Sequence, residues 1–221
     1  MLEQNVKNLL KELPATNPFG EKVTLVAAVK TQTVEDINRA IKAGITDIGD
    51  NHVQEFKEKY DFITGNPRRH FIGHLQTNKV KYLLGKVDLY HSVDRINLAE
   101  EISARGERAG ITSDILIQIN IGNELTKGGF EYGEAERVLK QIKAMPALNV
   151  KGLMAMLPFT DDTAELTRLA KKMRTLYNHL NDGCFEYLSM GMSGDFKLCI
   201  EAGSNTVRVG TSIFGARNYV K

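Results

Sequence analysis

The sequence predicts an α/β chain folded as a single (β/α)8 barrel, of the TIM type, with an extra helix at its N-terminus. Eight short strand-like segments are spaced along 221 residues, and helix-like stretches follow all but the last. No low-complexity linker or break in composition divides them, so residues 1–221 read as one domain. A parallel return needs a crossover, which a helix after each strand supplies. Eight such units in roughly 200–250 residues suit a closed barrel that folds as one unit. A doubly wound open sheet is the alternative with the same pattern.

The opening residues place Leu2, Val6, Leu9, Leu10 and Leu13 at helical spacing, with charges interrupting every apolar stretch. That pattern is an amphipathic helix and not a signal peptide. Strands are expected at Val23–Val29, Thr46–Gly49, His70–Gly73, Leu89–Ser92, Asp114–Asn120, Val150–Met154, Phe185–Ser189 and Thr206–Val209. Between them, Thr33-Val-Glu-Asp36 is a capping signature for a helix with Val34, Ile37, Ala40 and Ile41 on one face, stopped by Gly44. Ile96, Ala99 and Ile102 mark another helix after Asp94, and Ala135, Val138, Leu139 and Ile142 a third that ends near Pro146. Leu166, Leu169, Ala170, Met173, Leu176, Tyr177 and Leu180 form the longest helical stripe. A short final helix after Ile213 completes the pattern.

Composition excludes several classes. Net charge is +2, and Arg68-Arg69 and Lys171-Lys172 are the only adjacent basic pairs, too little for a nucleic-acid stripe. No apolar run approaches the roughly 18 residues of a membrane span. Two cysteines, Cys184 and Cys199, provide neither a disulfide framework nor metal-ligand spacing, which suits a reducing cytoplasm. No metal site is expected.

Candidate chemistry starts at Lys30, which follows the first apolar run, Val23–Val29. In parallel α/β proteins the carboxyl ends of the strands open onto the active-site face. A partly desolvated lysine there can serve as a free amine that forms a Schiff base, although a lysine that snorkels past a strand end fits the same residue. Phosphate sites in barrels are frequently built after strands 7 and 8. Here those strands run into Ser189-Met-Gly-Met-Ser-Gly-Asp195 and Arg208-Val-Gly-Thr-Ser212, with small residues for close backbone approach and the hydroxyls of Ser193, Thr211 and Ser212. Either loop alone would be ordinary turn chemistry; together, opposite a Schiff-base lysine, they point to pyridoxal 5′-phosphate (PLP), which carries its aldehyde and its phosphate at opposite ends. Asn51, after strand 2, reads first as a cap for the next helix. His70 and His74 flank strand 3 without metal spacing and read as satisfied histidines. Gly122–Gly129 reads as a loop, and Met154 and Met156 as packing at the barrel mouth.

Several ordered segments resemble the pyridoxal phosphate homeostasis protein family, which is related to the N-terminal barrel of alanine racemase. They are Ala27-Ala-Val-Lys30, Ile48-Gly-Asp-Asn-His-Val-Gln-Glu55, His70-Phe-Ile-Gly-His-Leu-Gln-Thr-Asn-Lys79, Gly152-Leu-Met-Ala-Met156, Leu188-Ser-Met-Gly-Met-Ser193 and Val207-Arg-Val-Gly-Thr211. The resemblance runs from the opening helix to about Gly215. It implies a single barrel in which Lys30 carries PLP as an internal aldimine, Ser193, Gly210 and Thr211 hold the phosphate, Arg208 faces the pyridine nitrogen and Asn51 lies near the ring. Two positions depart from the family pattern: Val29 stands where serine is frequent, and Asp50 where glutamate is usual.

An arginine at the pyridine nitrogen cannot accept its proton, which mutes carbanion chemistry. Racemases of the alanine type nonetheless use it, together with a tyrosine from an additional β-rich domain. This chain ends six residues after Gly215, its tyrosines lying in the barrel sequence or, as Tyr219, in the tail. The expected function is therefore intracellular PLP homeostasis without efficient turnover and with no catalytic residue assigned. PLP-dependent apo-enzymes are the expected partners and a monomer the expected state. A PLP-dependent amino-acid racemase is the alternative, and a cofactor-free Schiff-base lyase a third reading.

Overall fold

The computed structural model describes residues 1–124 and 127–215. The expected final helix beyond Ile213 and Tyr219 lie wholly or partly outside the described residues. A short helix that contains Ile213 is described at Thr211–Phe214.

The strands are β1 (Thr24–Ala28), β2 (Asp47–Asp50), β3 (Arg68–Phe71), β4 (Leu89–Val93), β5 (Ser113–Ile119), β6 (Leu148–Ala155), β7 (Tyr187–Ser189) and β8 (Thr206–Val209). They pair in sequence order, all parallel, and β8 returns to β1 to close the barrel. The helices are α1 (Leu2–Glu12), α2 (Val34–Lys42), α3 (Val53–Lys59), α4 (Ile96–Ala109), α5 (Ala135–Lys143), α6 (Thr163–Leu180), α7 (Phe196–Glu201) and α8 (Thr211–Phe214). The closed barrel, not the open sheet, is the architecture, and α1 is the extra N-terminal helix. It packs Val6 and Leu9 against α2 and the β1–β8 side. Its Asn5 side chain donates to the carbonyl of Ile213 at 3.1 Å.

Thr33 caps α2 as its sequence signature requires: its Oγ1 accepts the Asp36 N–H at 3.1 Å. Strand bounds shift from expectation by up to two residues, as where β6 begins at Leu148 and β7 at Tyr187, and two further differences have a visible cause. β3 begins at Arg68, two residues before the apolar run, because Arg68 and Arg69 pair in register with Asp47 and Ile48 at the amino end of the barrel. There Arg68 donates to the Tyr187 hydroxyl at 2.6 Å and Arg69 stacks its guanidinium over Tyr60, so charge at that strand end is accommodated. The crossover after β3 is a 3-10 segment, Thr77–Tyr82, in place of an α-helix. Inside the barrel, Leu89, Leu116 and Met154 form a small apolar cluster, while Met156 sits higher and faces the cleft described below. Outside it, Val29 is fully buried in the apolar layer with Ile37 and Ala40, so its departure from the family pattern faces away from the barrel mouth.

Candidate functional site

At the carboxyl end of the barrel a cavity of about 560 Å³ lies between the ends of β1, β6, β7 and β8. That size suits a small ligand. Lys30 lines it, two residues beyond the last residue of β1 and therefore on the same face as Ala28, which also lines it. The backbone turns sharply just after the lysine: Thr31 has φ 64°, and its N–H donates to Glu55 Oε2 at 2.7 Å. Lys59 donates to the same oxygen at 2.7 Å. Burial works against the charge of Glu55, but the bonds from Lys59 and the Thr31 N–H outweigh it and hold the carboxyl below its ordinary value. The first turns of α3 thus anchor the segment that carries Lys30.

Ser193, Gly210 and Thr211 line the same cavity. Ser193 Oγ accepts the Gly210 N–H at 3.3 Å, joining the loop after β7 to the end of β8. A second bond shapes that loop, Met192 N–H to Asp195 Oδ1 at 2.6 Å. The helix α8 starts at Thr211, and its first closing bond is made by Ile213 N–H on Gly210 O, which leaves the amides of Thr211 and Ser212 ahead of the intrahelical ladder. Hydroxyls and amides therefore meet in one corner of the cleft, the donor set an anion needs.

Arg208 lines the cavity two residues deeper on β8 and is only 5% exposed. It donates to Ser189 Oγ at 2.5 Å and to the Ala155 carbonyl at 3.0 Å. Among the described residues no carboxylate lies within ion-pair distance of it. Burial lowers its pKa to about 10, so it remains charged at neutral pH. Below it runs a chain of polar side chains: Ser189 to His91 at 2.9 Å, His91 to His70 at 2.8 Å, and His70 to Asp47 at 2.9 Å. Of these, only His70 was singled out in the sequence, as a satisfied histidine, which it is. Asp47, His91 and Ser189 were missed. The available signal was a polar residue at an inward position on each of four strands, legible only once the barrel register is known.

Asn51 lies at the same barrel end but lines a neighbouring groove with His52, Gln54, Lys57, His74 and Tyr82. It does not cap the following helix. The N-cap is His52, which leaves Asn51 one residue too early to reach the α3 amides, and the Asn51 side-chain oxygen is buried without a hydrogen-bond partner. The loop reaches this position because residue 73 is glycine: a Cβ there would stand 2.0 Å from the Asn51 carbonyl oxygen. His74 is satisfied by Asp94 Oδ2 at 3.0 Å. Asp50 is buried near Lys59 and Glu55 of α3, and its Oδ2 has no partner; burial raises its pKa to about 6. Among the described residues no group of three or more His, Cys, Asp or Glu is placed to hold a metal, and no helix is long and apolar enough to cross a membrane.

Residues 2–218 match the alanine racemase N-terminal domain family. A pyridoxal phosphate homeostasis protein of Aquifex aeolicus is 42% identical over 199 residues, covering 88% of this chain and 87% of its own. The chain belongs to the pyridoxal phosphate homeostasis protein family. Among solved structures, PipY of Synechococcus elongatus with PLP bound is 28% identical, with a TM-score of 0.85 over 97% of this chain and 100% of its own. Alanine racemase of Clostridium difficile shares the fold at 14% identity, with a TM-score of 0.83 over 99% of this chain and 57% of that one. Family membership and the closed barrel agree with the ordered motifs from Ala27 to Thr211.

Proposed function

We propose that this chain binds PLP reversibly through Lys30 and acts in intracellular, cytoplasmic PLP homeostasis without efficient turnover. The observation that carries this reading is the shared cleft: the Lys30 amine and the hydroxyl and amide corner of Ser193, Gly210 and Thr211 line one cavity, with a buried Arg208 that has no carboxylate partner among the described residues. When bound, PLP supplies an aldehyde that condenses with a primary amine with loss of water, and a phosphate that accepts hydrogen bonds. Ser193 and Thr211 donate hydroxyl protons to that phosphate, and Gly210 lets it approach the backbone. Arg208 points donors, and no acceptor, at the ring nitrogen, which keeps that nitrogen unprotonated and the ring a weak electron sink. Asn51 lies at the same barrel end but on the neighbouring groove; its place near the ring is what the family resemblance implies, and its unpaired buried oxygen is the polar group it would offer. The relatives' shared name and the PLP in PipY support the same assignment. In this reading the chain is a monomer, and the recipients of the cofactor are PLP-dependent apo-enzymes.

Borohydride reduction of the PLP-loaded protein followed by peptide mass mapping tests the assignment. A pyridoxyl adduct on Lys30, absent from Lys30→Ala, is expected; an adduct elsewhere overturns it. Proton exchange at the α-carbon of added amino acids, followed in heavy water, tests the absence of turnover. Rapid exchange would favour the racemase reading.

A further inference from the structure

We propose that Asp47, His70, His91 and Ser189 form one directed hydrogen-bond relay through the barrel interior that positions Arg208 and balances its charge, so that the two histidines are positioning residues for the cleft. The four members and Arg208 come from five strands (β2, β3, β4, β7 and β8), and all are at most 6% exposed. The two ends of the chain fix its direction. A guanidinium only donates and a carboxylate only accepts. Arg208 donates to Ser189 Oγ, so the single Ser189 proton is free to go to His91 Nδ1. The His91 proton then sits on Nε2 and faces His70 Nδ1, and the His70 proton sits on Nε2 and faces Asp47 Oδ1. Every link is satisfied with both rings neutral. The tautomers follow from this network, since only one assignment leaves no ring nitrogen opposed.

The reverse direction costs more. If His91 donated to Ser189, His70 would have to donate to His91 through Nδ1 and to Asp47 through Nε2, making it an imidazolium. A second cation would then share the interior with Arg208, with Arg68 close by at the exposed amino rim, against Asp47 as the carboxylate of the chain. Burial first, with the permanent positive charges of Arg208 and Arg68, holds His91 well below the ordinary histidine value. Asp47 is the acceptor the forward direction needs: burial opposes its charge, but the bonds from His70 and from the Thr46 hydroxyl at 2.7 Å prevail and hold its carboxyl below the usual value. The groups facing Arg208 from α7 and the loop before it, Cys199 and Asp195, are not within bonding distance of it, so the relay is its connection to a carboxylate. Aligned neutral dipoles between a buried cation and a buried anion polarise one another, and they fix the guanidinium where it meets the cleft.

The tautomer assignment stands on this geometry alone; the effect on the cofactor rests on the function proposed above. Two arms of the experiment keep these apart. In the first, NMR of the ligand-free protein labelled at the histidine ring nitrogens, with signals assigned through His70→Gln and His91→Gln, should show both rings neutral with the proton on Nε2. A charged ring, or a proton on Nδ1 of either, overturns the relay whatever the protein binds. In the second, PLP is titrated into wild type, His91→Leu, His91→Gln and Asp47→Asn. Gln carries both an acceptor and a donor and can stand in the chain, whereas Leu cannot. His91→Leu should shift the absorption band of bound PLP and weaken its retention roughly tenfold or more, with Lys30 still the reduced residue, and His91→Gln should recover most of both. Should His91→Leu fail to fold, Asp47→Asn, which keeps the acceptor but removes the charge, should still shift the band. A wild-type band and affinity in His91→Leu, or in a folded Asp47→Asn where His91→Leu does not fold, overturn the positioning role. No adduct on Lys30 in the wild type would instead sink the function and leave the NMR arm decisive.

Discussion

Thr31, next to the cleft lysine, holds a left-handed backbone at φ 64° that a β-branched residue adopts only at a cost of about 1–2 kcal/mol. The charged bond from its N–H to Glu55 offsets that cost, and Lys59 keeps the carboxylate in place. Glu55→Ala should therefore loosen the segment after β1. The expected result is faster PLP loss from Lys30, read by stopped-flow absorption, with a melting temperature lowered by only a few degrees; unchanged release would show that the strand alone places Lys30. Asp50 presents the opposite case, a buried carboxyl with one oxygen unpaired. Its pKa of about 6 in the fold lies above its ordinary 3.8, so between those values the folded state holds the extra proton. Stability then falls as pH rises through that window, and the penalty is constant above it. Asp50→Asn should stabilise the protein at neutral pH by on the order of 2 kcal/mol, with the gain vanishing towards pH ~4. A gain independent of pH in paired thermal melts would refute this origin.

At the scale of elements, the loops at the mouth depend on close backbone approaches. A Cβ on Gly73 would stand 2.0 Å from the Asn51 oxygen, and backbone cannot yield as a flexible side chain does. Gly73→Ala should cost about 2–3 kcal/mol and displace the Asn51 loop; a melt within a degree of wild type would contradict this. Such contacts explain what could be read in the sequence and what could not. All eight strands were legible, because apolar β-branched runs bounded by polar turns mark buried parallel strands. β3 was placed two residues late because its first two residues are arginines, tolerated only at the amino rim of the barrel. The helix expected after β3 is a 3-10 segment, which hydropathy does not distinguish from an α-turn. That Lys30, Ser193, Gly210 and Thr211 share a cleft could be read from their places at strand ends, and Arg208 entered through the family resemblance. Asp47, His91 and Ser189 were not, since His91 meets a serine 98 residues away only after the barrel closes.

For the molecule as a whole, the cleft straddles the seam where the barrel closes. β1 pairs with β8 over four residues, Thr24–Ala27 against Thr206–Val209, whereas β7 meets β8 through a single pair, Ser189 with Thr206. The chain's first and last strands are thus joined on one side by a full ladder and on the other by little backbone pairing. Lys30 extends from β1, Ser193 follows β7, and Gly210 and Thr211 extend from β8, so a ligand held by all of them ties these three strands together above the seam. α1 braces the same region from outside through Asn5 and Ile213. Binding only the closed form stabilises it by about 2.7 kcal/mol at a ligand concentration 100 times the dissociation constant. That gain should appear as a raised melting temperature. It should also slow hydrogen exchange at Val26–Ala28 and Val207–Val209 more than at β4 and β5, which lie across the barrel from the β1–β8 pair. Ser193→Ala with Thr211→Ala should keep the Lys30 adduct but lose most of the added protection on β8. Protection spread evenly over all eight strands would show instead that the ligand stabilises the barrel only globally, without tying the seam.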